Sequence, residues 1–258
     1  MLLTLFVLSL LGGLLSGMLG VGGGVVMIPL MLVVPTLIGV GRLDMLHVAG
    51  ISMLQVLASS VSGLIIHRGN GMVNGPALRW IGFPLAFAAL TGAAATKYVD
   101  EQAVLAVFTV LVFVSFLLLL GAKQSAVADS PQGGEELRID RPLAMLIGVG
   151  VGIASGMVGA GGGFILVPLM LVVLKLPLKV TVGTSLGIVF LGAVAGSVGK
   201  ISSGQVPWNY LLPVILGSIP MARLGARLSH RLSSRVLRSM LLVLVFLSFL
   251  QSLWKLVG

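Results

Sequence analysis

The chain has 258 residues, 57% of them hydrophobic and only 9% charged. Soluble globular domains carry about 25% charged residues, so a soluble enzyme is all but excluded and an integral membrane protein is indicated. The net charge of +9 would point to nucleic acid in a soluble protein, but basic residues gather in the cytoplasmic loops of membrane proteins, so the expected partner is the lipid bilayer and no nucleic acid.

In chain order, apolar segments are predicted at roughly 2–19, 25–39, 46–66, 76–97 and 102–120, and again at 142–159, 164–174, 180–199, 208–222 and 237–255. The first 20 residues lack a basic n-region and a cleavage-like boundary, and read as a retained segment, not a signal peptide. Between the two sets lies AKQSAVADSPQGGEELRIDR, the longest polar stretch of the chain. It reads as an exposed linker. The predicted organisation is a first membrane repeat (1–120), a cytoplasmic linker (121–141) and a second membrane repeat (142–258).

The division rests on an internal duplication. Residues 13–34, GLLSGMLGVGGGVVMIPLMLVV, match residues 152–173, GIASGMVGAGGGFILVPLMLVV, at 14 of 22 positions with an offset of 139. Further on, residues 50–63 align with 183–196 at an offset of 133, which pairs Ser52 with Ser185. A repeat of this kind is read before anything else because it fixes the architecture.

The uncharged run between Arg141 and Lys175 is 33 residues long, too short for two full spans and too long for one. The glycines at 159 and 161–163 would break a helix there, as would Gly20 and Gly22–Gly24 in the first half. If each broken pair returns to its starting side, 12 of the 16 basic residues share one side of the membrane, including Arg223, Arg227, Arg231, Arg235 and Arg238; if each pair crosses once, the split is 9 to 7. Lys200 is counted here among the loop residues of the other side. The first arrangement obeys the positive-inside rule better and makes the repeats inverted. Ten thin spans have the same parity, so only the 33-residue length favours hairpins. The expected fold is therefore an all-α polytopic membrane protein of two inverted repeats, each a glycine-broken short helix pair (a re-entrant hairpin) followed by three transmembrane helices.

Inverted repeats with discontinuous helices place a substrate site near the midplane, at the breaks. Consecutive glycine N–H groups form a concave nest, and a helix restarting beside them directs its positive dipole end into the same space, so the expected ligand is a small anion. The candidate binding residues are Gly22, Gly23, Gly24, Gly161, Gly162 and Gly163. The competing reading is that these glycines, with Gly13, Gly17, Gly152 and Gly156, serve helix packing. Ser52, Gln55, Ser59 and Ser62 fall on one helical face that should point inward. Ser52 and Gln55 are added to the candidates, with Thr184 and Ser185 from the second half; bonding to a neighbouring helix or back to a local carbonyl is the alternative for each. Pro29 and Pro168 lie a turn or so into the restarted helices, where a missing N–H costs little.

Acidic residues lie only at segment edges (Asp44, Asp100, Glu101) or in the linker, so no carboxylate offers an intramembrane proton relay. His47 and His67 sit at segment ends and read as interfacial. No cysteine and only three scattered histidines leave no metal ligand set, and no cofactor, catalytic residue or enzymatic activity is expected.

The duplicated SGMLGVGGGVVMIPLML and SGMVGAGGGFILVPLML, together with GTSL at 183–186, resemble the sulfite exporter TauE/SafE family, also called the toluene sulfonate uptake permeases. The resemblance covers almost the whole chain. It implies a multi-pass permease of a prokaryotic plasma (inner) membrane that moves small sulfur-containing anions such as sulfite, thiosulfate or organosulfonates. By position, the family's glycine-rich motifs fall on Gly20–Gly24 and Gly159–Gly163 and its GTSL motif on Gly183–Leu186. The first half has Gly50-Ile51-Ser52-Met53 there, which lacks the threonine. The expected function is secondary transport of such an anion by alternating access, with a coupling ion as a candidate second partner, against the alternatives of a non-transporting scaffold or assembly subunit and an anion channel.

Overall fold

The computed structural model describes residues 1–69, 72–121 and 140–257. The predicted linker, with Lys123 and Arg138 of the charge count, lies almost wholly outside them. The described residues form α1 (Leu2–Leu19), α2 (Gly24–Leu37), α3 (Met45–Gly69), α4 (Gly75–Ala95), a 3-10 turn (Thr96–Tyr98), α5 (Glu101–Gly121), α6 (Arg141–Val158), α7 (Gly163–Val172), α8 (Leu178–Ser202), α9 (Trp208–Arg231) and α10 (Ser234–Val257). The chain is an all-helical polytopic membrane protein. Eight of these helices are long and apolar enough to cross a membrane, while α2 and α7, with 14 and 10 residues, are the short ones.

Local chemistry sets the boundaries. Asn74 and Asp140 cap α4 and α6 by accepting from the backbone N–H of Ala77 and Leu143, each with a proline in the first turn, where a missing N–H is harmless. α1 and α6 end at Gly20 and Gly159, whose φ of 71° and 79° are left-handed, the usual helix-ending conformation that glycine adopts without strain. Each break therefore lies between a helix of 18 residues and a shorter one of 14 or 10. The arginine run is also placed differently from the sequence reading. α9 continues through Arg223, Arg227 and Arg231, and α10 already starts at Ser234. Apolarity ends at the first charge, but backbone hydrogen bonding does not, and the spacing of four keeps these arginines on one face of the helix.

Packing joins the two halves of the sequence. α1 lies on α9 and α6 on α4, with α3 and α8 completing two three-helix bundles, α1/α3/α9 and α6/α8/α4. Each bundle contains helices from both halves. The seams are made of glycine. A Cβ on Gly13 or Gly17 of α1 would overlap the α9 backbone at Ser218 or Ala222, and one on Gly148, Gly152 or Gly156 of α6 would overlap the α4 carbonyls of Ile81, Leu85 or Ala89. Without a hydrophobic driving force between helices in lipid, such close backbone approach is what supplies the attraction. The packing reading thus holds for these glycines. The bundles meet where α3 crosses α8, and α2, α5, α7 and α10 pack alongside.

Candidate functional site

The two breaks have the same backbone. Gly20 N–H donates to Ser16 O (3.0 Å) and Gly159 N–H to Ser155 O (2.9 Å), closing α1 and α6. The chain then passes through two more left-handed glycines, Gly22 and Gly23 in one break and Gly161 and Gly162 in the other. α2 and α7 start with Met27 N–H to Gly23 O (3.0 Å) and Leu166 N–H to Gly162 O (2.9 Å). Between those points the N–H groups of Val21–Val25 and Ala160–Phe164 donate to no acceptor among the described residues. All ten of these residues are buried. Buried unpaired N–H groups are rare in proteins, and here they are concentrated at two helix N-termini where the dipole adds positive potential.

The breaks meet each other in the buried interior. A Cβ on Gly24 would overlap Ala160, and one on Gly163 would overlap Val21. Gly22 and Gly161 both abut Val56 of α3 and Val189 of α8, which correspond at the offset of 133. Each break is also held from the other half: the Ser52 hydroxyl donates to Gly159 O at 2.7 Å and the Ser185 hydroxyl to Gly20 O at 2.8 Å. Ser52 of the first half therefore does what Ser185 of the GTSL stretch does in the second, and the threonine missing from the first half has a different task. Thr184 Oγ1 accepts from Asn74 N–H at 2.9 Å and so faces the connection between α3 and α4.

Pro29 and Pro168 are the sixth residues of α2 and α7, deeper than the sequence reading placed them. Their missing N–H groups leave the carbonyls four residues back, Val25 and Phe164, without a helical donor. The Ser248 hydroxyl of α10 donates to Val25 O (2.8 Å) and the Ser115 hydroxyl of α5 to Phe164 O (2.7 Å). These two serines also correspond at the offset of 133. Sequence reasoning missed them, although a serine repeated at that offset in a span was a visible signal.

Side chains distinguish the breaks. Gln55 is fully buried, and neither its Oε1 nor its Nε2 has a hydrogen-bond partner. Its amide lies against bare backbone: a Cβ on Gly12 or Gly23 would come within 3.0 and 3.1 Å of Nε2. Ser59 donates to Val56 O (3.1 Å) and reaches Gly22 O at 3.3 Å, and Ser16 donates to Ser59 Oγ at 2.9 Å. At the second break the counterparts of Gln55 and Ser59 are Ile188 and Gly192. The structure thus brings together Gly22–Gly24, Gly161–Gly163, Ser52, Gln55 and Ser185, and leaves Thr184 to one side. Among the described residues no group of three or more His, Asp and Glu side chains stands where it would hold a metal ion.

A family model described as Sulfite exporter TauE/SafE matches residues 5–252. The chain belongs to the TauE/SafE family. This is a family of membrane transporters, not of enzymes, and the chain is accordingly a multi-pass membrane transporter. Among similar proteins, the probable membrane transporter protein YunE of Bacillus subtilis is 25% identical, the match covering 97% of each chain. A probable membrane transporter protein of Xylella fastidiosa is 30% identical over 86% of this chain and 84% of its own. One from Methanocaldococcus jannaschii is 24% identical over 92% and 90%. No solved structure matches this TauE/SafE chain.

Proposed function

We propose that the chain is a secondary transporter of a small anion, a sulfur-containing oxyanion such as sulfite, thiosulfate or an organosulfonate, in the plasma membrane of a prokaryote. The observation that carries this reading is the unpaired Gln55 amide standing against the first of two buried runs of unpaired N–H groups that meet each other. An unsatisfied buried polar group costs about 1–3 kcal/mol, and a cluster of them persists only where something returns the cost. Backbone N–H groups and an amide NH2 are donors with no net charge, suited to a compact ion whose several oxygens accept at once. Gly22–Gly24 and Gly161–Gly163 supply the backbone donors and Gln55 the side-chain donor. Ser52 and Ser185 spend their protons on Gly159 and Gly20 and set the shape of the breaks.

In this reading the two halves enter the membrane in opposite orientations. The reciprocal serine bonds pair the two halves, and the 12 to 4 split of basic residues supports the inversion. Alternating access follows from rocking the α1/α3/α9 bundle against the α6/α8/α4 bundle about the Val56–Val189 crossing, since the glycine seams tie helices of both halves into each moving body. The candidate site is buried from both sides in this arrangement, as an occluded state requires. With no carboxylate inside the spans, a gradient of substrate or of a coupling ion drives the cycle. Purified protein in liposomes should show saturable sulfite or thiosulfate uptake, accelerated by the same anion inside. Uptake that does not saturate, or that counter-substrate leaves unchanged, would replace the carrier reading with a channel, and no uptake of either anion would remove the substrate assignment.

A further inference from the structure

Lys200, in the last turn of α8, is fully buried, the one Lys or Arg so placed among the described residues. Its Nζ donates to Met157 O (2.8 Å), Gln205 Oε1 (2.8 Å) and Thr96 Oγ1 (3.1 Å). The Thr96 proton is itself directed to Gly92 O, so all three oxygens act as acceptors and match the three N–H bonds of an ammonium. None carries a charge, and no salt bridge involving Lys200 is present among the described residues. A buried ammonium without a counter-charge is costly, and a neutral donor would fasten the same three elements more cheaply.

Its position supplies a reason for the charge. Met157 is the next-to-last residue of α6, four residues before Gly161, and its carbonyl is one of those that α6 leaves without a helical donor at its negative dipole end. The same place in the first half also holds a nitrogen side chain. His67 corresponds to Lys200 at the offset of 133, is buried, and places Nε2 3.2 Å from Gly17 O in the last turn of α1. The residue at the end of the third helix thus reaches the end of the broken helix in both halves.

We propose that Lys200 is a second anion-receiving residue, the staging point between the breaks and the membrane face at which α8 ends. This assignment rests on the transport reading above. In the occluded arrangement the ammonium is parked on three neutral oxygens; opening of that face exchanges them for oxygens of the arriving or departing oxyanion. The anion is the missing counter-charge.

The test is sided transport. Wild type, Lys200→Met and Lys200→Arg are reconstituted with one orientation, fixed by labelling a single introduced cysteine, and thiosulfate uptake is measured from each face. Lys200→Met should raise KM about tenfold or more at the face where α8 ends, the effect of one lost charge-assisted hydrogen bond. KM at the opposite face should stay within about twofold, and Lys200→Arg should recover most of the loss. A purely structural fastening would lower the amount of folded protein or the maximal rate at both faces alike. Equal KM values at both faces in folded Lys200→Met, or an arginine variant no better than methionine, would overturn the assignment while leaving the transport reading intact. Absence of saturable uptake in wild type would overturn the transport reading and this assignment with it. If Lys200→Met does not fold, Lys200→Gln keeps a donor without the charge and carries the same comparison.

Discussion

The two helix breaks share a backbone and differ in their side chains. Each has a left-handed glycine end, two further left-handed glycines, a serine hydroxyl reaching across from the other half and a second serine answering a helix proline. Yet α3 brings Gln55 and Ser59 to the first break, while α8 carries Ile188 and Gly192 at the corresponding positions; Ser16 is duplicated, as Ser155 beside Gly162. In the proposed anion reading, the duplicated part consists of donors that any compact anion would use equally well from either side. The part present once is the part able to tell one anion from another. Selectivity is therefore expected to reside at the first break, with the second acting as its backbone counterpart.

That comparison can be broken from its shared side. Gly24→Ala and Gly163→Ala each put a Cβ into the opposite break's backbone, and both should lose most folded protein, a cost of about 3 kcal/mol or more. The readout is the monodisperse fraction after extraction, and tolerance of one variant but not the other would show that the breaks do not lean on each other equally. Next come Ser248→Ala and Ser115→Ala, which leave the carbonyls of Val25 and Phe164 unpaired. Each should cost about 1–3 kcal/mol, seen as a lowered thermal midpoint, and the two losses should be similar. Ser52→Ala and Ser185→Ala, which leave Gly159 O and Gly20 O unpaired, should likewise cost about 1–3 kcal/mol each. They too should fall together, and a loss confined to one would undo the equivalence of the two crossing bonds.

Much of this arrangement is legible in the sequence because the duplication is. The offsets of 139 and 133 align the breaks and the third helices, and helical periodicity puts Gln55 on the inward face with Ser52 and Ser59. What escaped has physical causes. Lys200 reads as a loop residue because a lysine ends an apolar run, and burial depends on acceptors from Thr96, Met157 and Gln205, which are distant in the chain or beyond the run. The extension of α9 through its arginines is hidden for the same reason, since polarity marks the end of an apolar segment and hydrogen bonding the end of a helix. The exchange of helices between halves depends on which glycine stripes face each other, and a stripe does not name its partner. The positive φ at Gly23 and Gly162 also makes replacement by valine a poor probe of binding, because strain alone would unfold the break.

Gln55→Leu avoids that difficulty. It removes the unpaired amide and leaves the backbone of both breaks unchanged, so folding should be unaffected or slightly favoured. The decisive measurement is saturable thiosulfate and sulfite uptake by this variant in liposomes, beside its thermal midpoint. A midpoint at or above that of wild type is expected together with a loss of uptake of about tenfold or more. Wild-type uptake in a folded Gln55→Leu protein would contradict that expectation.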